Sequence, residues 1–324
     1  MKLKVALVGI GGMGKNHFNI YKKFDDIDFV AACDIRQERL DLAASERPDM
    51  HFYTDFAEML EKEKPDIVDV STPTYLHAQH AIAALRAGAH VICEKPMALN
   101  STETASIIAE AEKAGKTFMA AHVVRFMAPY AYLREVIKSG ELGRLLRLDM
   151  KRISSIPIWS WEDWMRDESK SGGVITDLSI HDIDYVQSIL GMPDKISSYR
   201  HGMKNNNDFA VTEMVYGDTI VSCEGTWYNT GIPFHATYLA VFENGYVEST
   251  DKIYKNGVAV GGDEKKAEEL DLGINIGNDN GYLNEIQYFV DCVNNGVSPD
   301  FVTPESSCNT MKLVDAIKDV ATKL

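Results

Sequence analysis

The chain has 324 residues, 45% hydrophobic and 25% charged, with a formal net charge of −15; this is ordinary globular composition with enough length for two domains that each bury a core. Such acidity, with no local lysine and arginine cluster to offset it, argues against nucleic acid or an anionic membrane as a partner. The five cysteines, Cys33, Cys93, Cys223, Cys292 and Cys308, are odd in number, widely spaced and free of any Cys-x-x-Cys pair, which speaks against a disulfide framework and against structural zinc.

The chain opens directly on the apolar run Val5–Val8 without a signal-peptide pattern, and its apolar stretches are strand-length, so a cytoplasmic protein with no membrane span is expected. Leu3–Gly9, Phe29–Asp34, His51–Thr54, Ile67–Ser71, His90–Glu94 and Thr117–Ala121 read as strands with helices between them. That alternation implies a parallel sheet covered on both faces, the doubly wound α/β architecture. Between the first strand and the first helix lies Gly9-Ile10-Gly11-Gly12-Met13-Gly14, a G-x-G-x-x-G in the context a dinucleotide-binding turn requires. Asp34 ends the second strand, 20 residues past Gly14, where a carboxylate accepts hydrogen bonds from the adenosine ribose and repels a 2′-phosphate. This favours NAD over NADP; Arg36, two residues on, keeps NADP open. The first domain, a Rossmann domain, is thus read as residues 1–121.

Beyond it the rhythm changes. A helix is expected around Pro129–Ser139, and then strands follow strands: Leu145–Ser154, Ile196–Tyr199, Ala210–Tyr216, Ile220–Tyr228, Ala236–Phe242 and Tyr246–Thr250. Turns at Tyr216-Gly217-Asp218 and Glu243-Asn244-Gly245 suit antiparallel hairpins. Residues 122–324 therefore read as an α+β domain with a large open, mainly antiparallel sheet. Too little sequence remains to cover both faces, so the sheet is expected to pack against another subunit in a homodimer or homotetramer. Val174–Leu190 reads as one helix, largely apolar, with a polar stripe of Asp177, His181, Asp184 and Ser188 that must meet water, a polar network or a ligand. Trp159, Trp161 and Trp164 crowd the segment before it, where they read equally as core side chains under a loop or as walls of a binding pocket. Closing helices are expected at Tyr282–Asn295 and Glu305–Lys323, the latter started by Thr303-Pro304.

The fifth strand ends in Cys93-Glu94-Lys95-Pro96, which puts Lys95 at the carboxyl edge of the parallel sheet, where ligands bind in such folds. With the glycine-rich turn, this E-K-P tripeptide resembles the glucose-fructose oxidoreductase, inositol dehydrogenase and MocA family (Gfo/Idh/MocA). Ser71-Thr72-Pro73 with Leu76-His77 is similar to that family's nicotinamide-side loop, and Gly172-Gly173 followed by Asp177 and His181 to its glycine pair and D-x-x-x-H segment. His122 with Arg125-Phe126 is similar to its domain-junction segment. Ser179 departs from the glycine many members carry. The resemblance implies a cofactor set of Gly9, Gly11, Gly12, Met13, Gly14, Asp34, Ile35, Arg36, Ser71, Thr72, Pro73, Leu76, His77, Glu94, Lys95 and Arg125. It implies substrate contacts from Lys95, His122, Trp161, Trp164, Asp177, His181 and Tyr282.

The chemistry so implied is transfer of a hydride between a nicotinamide cofactor and a secondary hydroxyl, or its ketone, on a sugar, inositol or related polyol. Lys95 would stabilise developing alkoxide, His181 would take the proton, and Asp177 would orient the substrate or the lysine. Two other readings are an NAD-dependent glycosidase of the same superfamily and a non-catalytic cofactor-sensing regulatory protein. No set of three convergent metal ligands is evident, so no metal is expected.

Overall fold

The computed structural model describes residues 2–250, 252–261 and 281–324. They divide into two compact units, one made of residues up to 122 with 282–308, the other of residues from 123 with 309–324. A partition at 121/122 does not provide for the return of 282–308 to the first unit.

In the first unit, strands β1 (Leu3–Val8), β2 (Ile27–Cys33), β3 (His51–Tyr53), β4 (Ile67–Val70), β5 (His90–Glu94) and β6 (Phe118–Ala121) alternate with helices α1 (Gly12–Tyr21), α2 (Gln37–Glu46), α3 (Phe56–Glu63), α4 (Thr74–Arg86) and α5 (Ser101–Ala114). All pairings are parallel, in the order β3-β2-β1-β4-β5-β6. Every residue of β4 is buried, as a strand covered on both faces must be. Side chains punctuate the helices: Asp55 and Asn100 cap α3 and α5 by accepting from the amides of Glu58 and Glu103 at 2.9 Å, and Gly115 ends α5 in the left-handed conformation. The strand order reverses between β1 and β4, which is where an open sheet of this kind leaves a crevice beyond its carboxyl edge. Ile286, Phe289 and Val290, from the segment that rejoins this unit, are fully buried.

The second unit starts with α6 (Ala128–Ser139) and β7 (Leu145–Ser155), passes through short helices α7 (Glu168–Ser171) and α8 (Gly173–Asp177) into α9 (Ile180–Leu190), and continues as β8 (Lys195–Arg200), β9 (Asp208–Tyr216), β10 (Thr219–Tyr228), β11 (His235–Phe242), β12 (Gly245–Ser249), β13 (Ile253–Lys255) and β14 (Val258–Gly261). The chain closes with α10 (Gly281–Asn295), whose residues from 282 on belong to the first unit, then α11 (Pro304–Val320) and β15 (Thr322–Lys323). Among the described residues the second sheet has nine strands in the order β14-β13-β12-β11-β7-β10-β9-β8-β15. It is open and mainly antiparallel; β7 with β10 and β8 with β15 are its parallel pairs. Both expected hairpins form, with Tyr216 opposite Thr219 and Phe242 opposite Gly245. On β9, Ala210, Thr212 and Met214 are buried while Val211 and Glu213 point to the exposed face. The closing helix ends at Val320 rather than Lys323, because Thr322 and Lys323 pair with Tyr199 and Arg200. Helix-length spacing does not reveal that pairing.

Candidate active site

The glycine-rich turn is built as a place where side chains cannot go. Gly9 has φ +90, and a Cβ there would lie 2.6 Å from the Ser71 carbonyl; a Cβ on Gly14 would lie 1.8 Å from the Gly9 carbonyl. Gly11, by contrast, faces open space: the nearest atom to its ideal Cβ is Arg36 Nη2, at 3.8 Å. Gly11 is the N-cap of α1 and offers no side chain to its first amides, and the half-buried Gly12 and Met13 follow in the first turn. A tight, bare backbone with a helix N-terminus behind it fits a dinucleotide pyrophosphate. Asp34 is buried at the end of β2; its carboxylate accepts from the Ile10 amide at 2.8 Å and from the Arg36 amide at 2.9 Å. Arg36 folds back to donate its Nε to the same carboxylate at 3.2 Å, while Ile35 is 77% exposed. Asp34 and Arg36, rivals for the ribose in the sequence, are thus paired with each other.

Around Lys95 the first unit is braced by two histidines. Lys95 is half-buried just past β5, and its amide donates to its neighbour Glu94 Oε2 at 3.0 Å. The other oxygen of Glu94 lies 3.1 Å from His17 Nε2, and His17 Nδ1 lies 2.8 Å from Asp69. Tyr21 and Ser71 hydroxyls also donate to Asp69, at 2.9 and 2.8 Å. Burial works against charge on His17, but Asp69 and Glu94 together hold its pKa well above the ordinary histidine range. On the other side of Lys95, the two ring nitrogens of His77 lie 2.7 Å from the Pro96 carbonyl and 2.6 Å from the Thr72 carbonyl, and the neutral ring donates to one of them. Burial pushes the His77 pKa down against the pull of those two carbonyls. His77 and Glu94, both expected at the cofactor, are therefore buried and taken up by protein partners. Ser71, Thr72 and Pro73 make the turn from β4 into α4, and Leu76 lies in the first turn of that helix. Tyr282 starts its helix with its ring edge-on to His17, centroids 6.4 Å apart, and His122 is buried just past β6.

In the second unit the expected single helix is interrupted. The Ser179 amide reaches back five residues to the Val174 carbonyl at 2.8 Å, beside the ordinary Leu178 bond to the same oxygen at 3.0 Å. This wide turn separates α8 from α9 and shifts the phase between Asp177, the last residue of α8, and His181, in the first turn of α9. The polar stripe does not survive it intact. Asp177 is buried and His181 half-buried, but Ser188 is exposed. Asp184 is fully buried and takes both nitrogens of a bidentate Arg125, at 2.8 and 2.7 Å, with Thr310 donating at 2.8 Å. Arg125, expected at the cofactor, is thus committed to a buried ion pair. Trp164 is half-buried and Trp161 is 44% exposed, on a turn whose Glu162 and Asp163 both have positive φ.

Two further buried pairs escape sequence reading. Arg152 holds Asp182 at 2.7 Å, and Arg200 holds Asp208 at 2.7 Å. Asp208 also accepts from the Val174 amide at 3.0 Å, which pins the start of α8. This explains the glycine pair: Gly172 and Gly173 have φ +75 and +74, and a Cβ on Gly173 would meet Arg200 Nη2 at 2.2 Å. An arginine and an aspartate on adjacent strands at a hairpin were the available signal, but surface pairs look the same in sequence. Among the described residues no group of three or more histidine, cysteine, aspartate or glutamate side chains is arranged to hold a metal, and no helix is long and apolar enough to cross a membrane.

Residues 3–122 match the family model described as "Oxidoreductase family, NAD-binding Rossmann fold", and residues 130–248 match the "GFO/IDH/MocA C-terminal domain". The chain is 30% identical over 203 residues to D-glucoside 3-dehydrogenase of Escherichia coli K12, a match covering 62% of this chain and 58% of that protein. It is 30% identical over 191 residues to myo-inositol 2-dehydrogenase of Thermotoga maritima, covering 58% and 55%. The matches thus span little more than half the length of these curated relatives. The crystal structure of scyllo-inositol dehydrogenase from Lactobacillus casei with NAD(H) and scyllo-inositol superimposes with a TM-score of 0.80 over 99% of this chain and 97% of that one. At 22% identity that likeness is one of fold.

Proposed function

This chain belongs to the Gfo/Idh/MocA oxidoreductase family, and from that premise we propose that it is a dehydrogenase for a secondary hydroxyl, or its ketone, on a sugar, inositol or related polyol, with NAD as cofactor. The observation that carries the reading is the turn at Lys95. It leaves the carboxyl edge of the sheet that also carries the glycine-rich loop, and its neighbours on both sides are fixed, Glu94 to His17 and Pro96 to His77. A lysine presented this way suits work on a reacting oxygen more than a solvated surface position.

Gly9, Gly11, Gly12, Met13 and Gly14 hold the pyrophosphate in this reading; Asp34, Ile35 and Arg36 take the adenosine ribose, and Ser71, Thr72, Pro73 and Leu76 the nicotinamide side. The nicotinamide, when bound, supplies hydride acceptance and donation. Lys95 stabilises developing negative charge on the substrate oxygen, His181 exchanges its proton, and Asp177 orients the reacting group. His122, Trp161, Trp164 and Tyr282 are assigned to the substrate. We also place the protein in the cytoplasm as a homodimer or homotetramer assembled through its second sheet. Tyr199, Val211, Ile220 and Leu239 support this: they share one sheet face and are 55%, 39%, 43% and 38% exposed.

The test is NADH fluorescence against a panel of inositols, hexoses, amino sugars and polyols, with NAD and NADP compared on each. Substrate-dependent growth of NADH supports the dehydrogenase. Tight cofactor binding without growth on any of them overturns it in favour of the glycosidase or sensor.

A further inference from the structure

Behind the Lys95 turn lies a charge network that no dinucleotide motif calls for. His17 and Asp69 side chains are fully buried and Glu94 is nearly so. Asp69 receives His17, Tyr21 and Ser71; Glu94 receives the Lys95 amide, and its other oxygen lies at ion-pair distance, 3.1 Å, from His17 Nε2, which has no hydrogen-bond geometry of its own. One imidazole between two buried carboxylates is an arrangement in which removing the central group leaves both anions uncompensated. The groups facing it from neighbouring elements are the Tyr282 ring and Glu285, the latter near enough to raise the Tyr21 pKa. The Glu94 carboxylate is thereby held between His17 on one oxygen and the amide of Lys95 on the other.

We propose that His17 is a positioning residue for Lys95, acting through Glu94 to set the backbone at which the lysine leaves β5. Contact runs by adjacent groups: Asp69 orients the imidazole, the imidazole orients the Glu94 carboxylate, and that carboxylate binds the Lys95 N–H. His77 secures the far side of the same turn by its bond to the Pro96 carbonyl. A displacement of about 1 Å in a reacting group costs on the order of a hundredfold in rate, so a brace of this kind acts on turnover rather than on cofactor affinity. The inference rests on the dehydrogenase reading for its effect on catalysis, but not for its effect on the turn.

The experiment is residue-resolved amide hydrogen exchange on the full chain, paired with steady-state kinetics, for wild type, His17→Gln and Asp69→Asn. In the wild type the Lys95 amide is protected by Glu94. In His17→Gln its exchange accelerates about tenfold or more, the scale of one lost hydrogen bond of about 1.4 kcal/mol, while Ile92 within β5 keeps its protection. Asp69→Asn, which frees the imidazole without removing it, moves Lys95 in the same direction and decides the matter should His17→Gln not fold. With a substrate in hand, kcat falls about tenfold or more and KM for the cofactor stays near wild type. Unchanged Lys95 exchange in the folded variants overturns the proposal. Faster exchange with unchanged kcat leaves the brace in place and overturns instead the assignment of Lys95 to the chemistry.

Discussion

At the scale of single residues, what a side chain touches decides whether a motif position is available for chemistry. Lys95 is presented while Glu94, beside it, is spent on the turn. Lys95→Ala should therefore cut kcat by about a hundredfold or more and leave cofactor binding intact, as loss of an acid–base or oxyanion-stabilising group does. Turnover near wild type in that variant would take the lysine out of the mechanism. Asp34 bears on cofactor choice in the same way. Its carboxylate, assigned above to the ribose, also holds Arg36 at 3.2 Å. Asp34→Asn removes the repulsion of a 2′-phosphate and releases the guanidinium to pair with it. The ratio of kcat/KM for NADP over NAD should rise about tenfold, the worth of one charge-assisted hydrogen bond; an unchanged ratio would show that Arg36 does not reach that position. Lys95 and Asp34 are readable in sequence because local context, a strand end and a fixed spacing, defines them. His17 is not: its two partners lie 52 and 77 residues away along the chain, and nothing near it in sequence announces them.

At the scale of elements, alternation and turn residues carry most of the information. The six strands of the first unit and the hairpins of the second were legible because burial on two faces, or on one, leaves a direct mark on composition. The break between α8 and α9 was not, since an apolar run at helical spacing reads the same whether or not one turn is widened. The wide turn sits where Ser179 meets β10: a Cβ on Gly225 would lie 1.9 Å from the Ser179 Oγ. The Ser179 hydroxyl is buried without a hydrogen-bond partner among the described residues. The position where many family members carry glycine therefore has its compensating glycine on the strand opposite. Gly225→Ala alone should destabilise by about 2 kcal/mol through overpacking. Ser179→Gly should cost about 1 kcal/mol or less, since lost backbone restriction is offset by removal of an unpaired hydroxyl. In the double variant the cost should be at least about 1 kcal/mol below the sum, measured by urea denaturation in a double-mutant cycle. Strict additivity would mean that the two positions do not share the space.

At the scale of the whole molecule, the return of residues 282–308 to the first unit was illegible because an apolar helix has the same pattern whichever core receives it. What the sequence does state is charge: −15 overall, which makes the folded chain self-repelling near neutrality and eases as carboxylates protonate. Against that global trend stand local terms from buried histidines. Burial lowers the pKa of His90 and pushes His80 down to about 4. These rings are neutral in the fold and bind protons more readily when it opens, so their stabilisation is complete above about pH 6.5 and is lost as the pH falls below it. His17 has the opposite sign. Although burial disfavours its charge, Asp69 and Glu94 raise its pKa, so its contribution is complete below about pH 6.5 and is lost as the pH rises through the raised value. Stability in about 1 M salt, where the Debye length is about 3 Å and the net charge counts for little, should therefore decline on both sides of a maximum near neutrality. His80→Asn should flatten the acid limb and His17→Gln the alkaline one, each read from urea midpoints across pH. An alkaline limb of undiminished slope in His17→Gln would show that the decline belongs to other groups and that the imidazole is not charged between its two carboxylates.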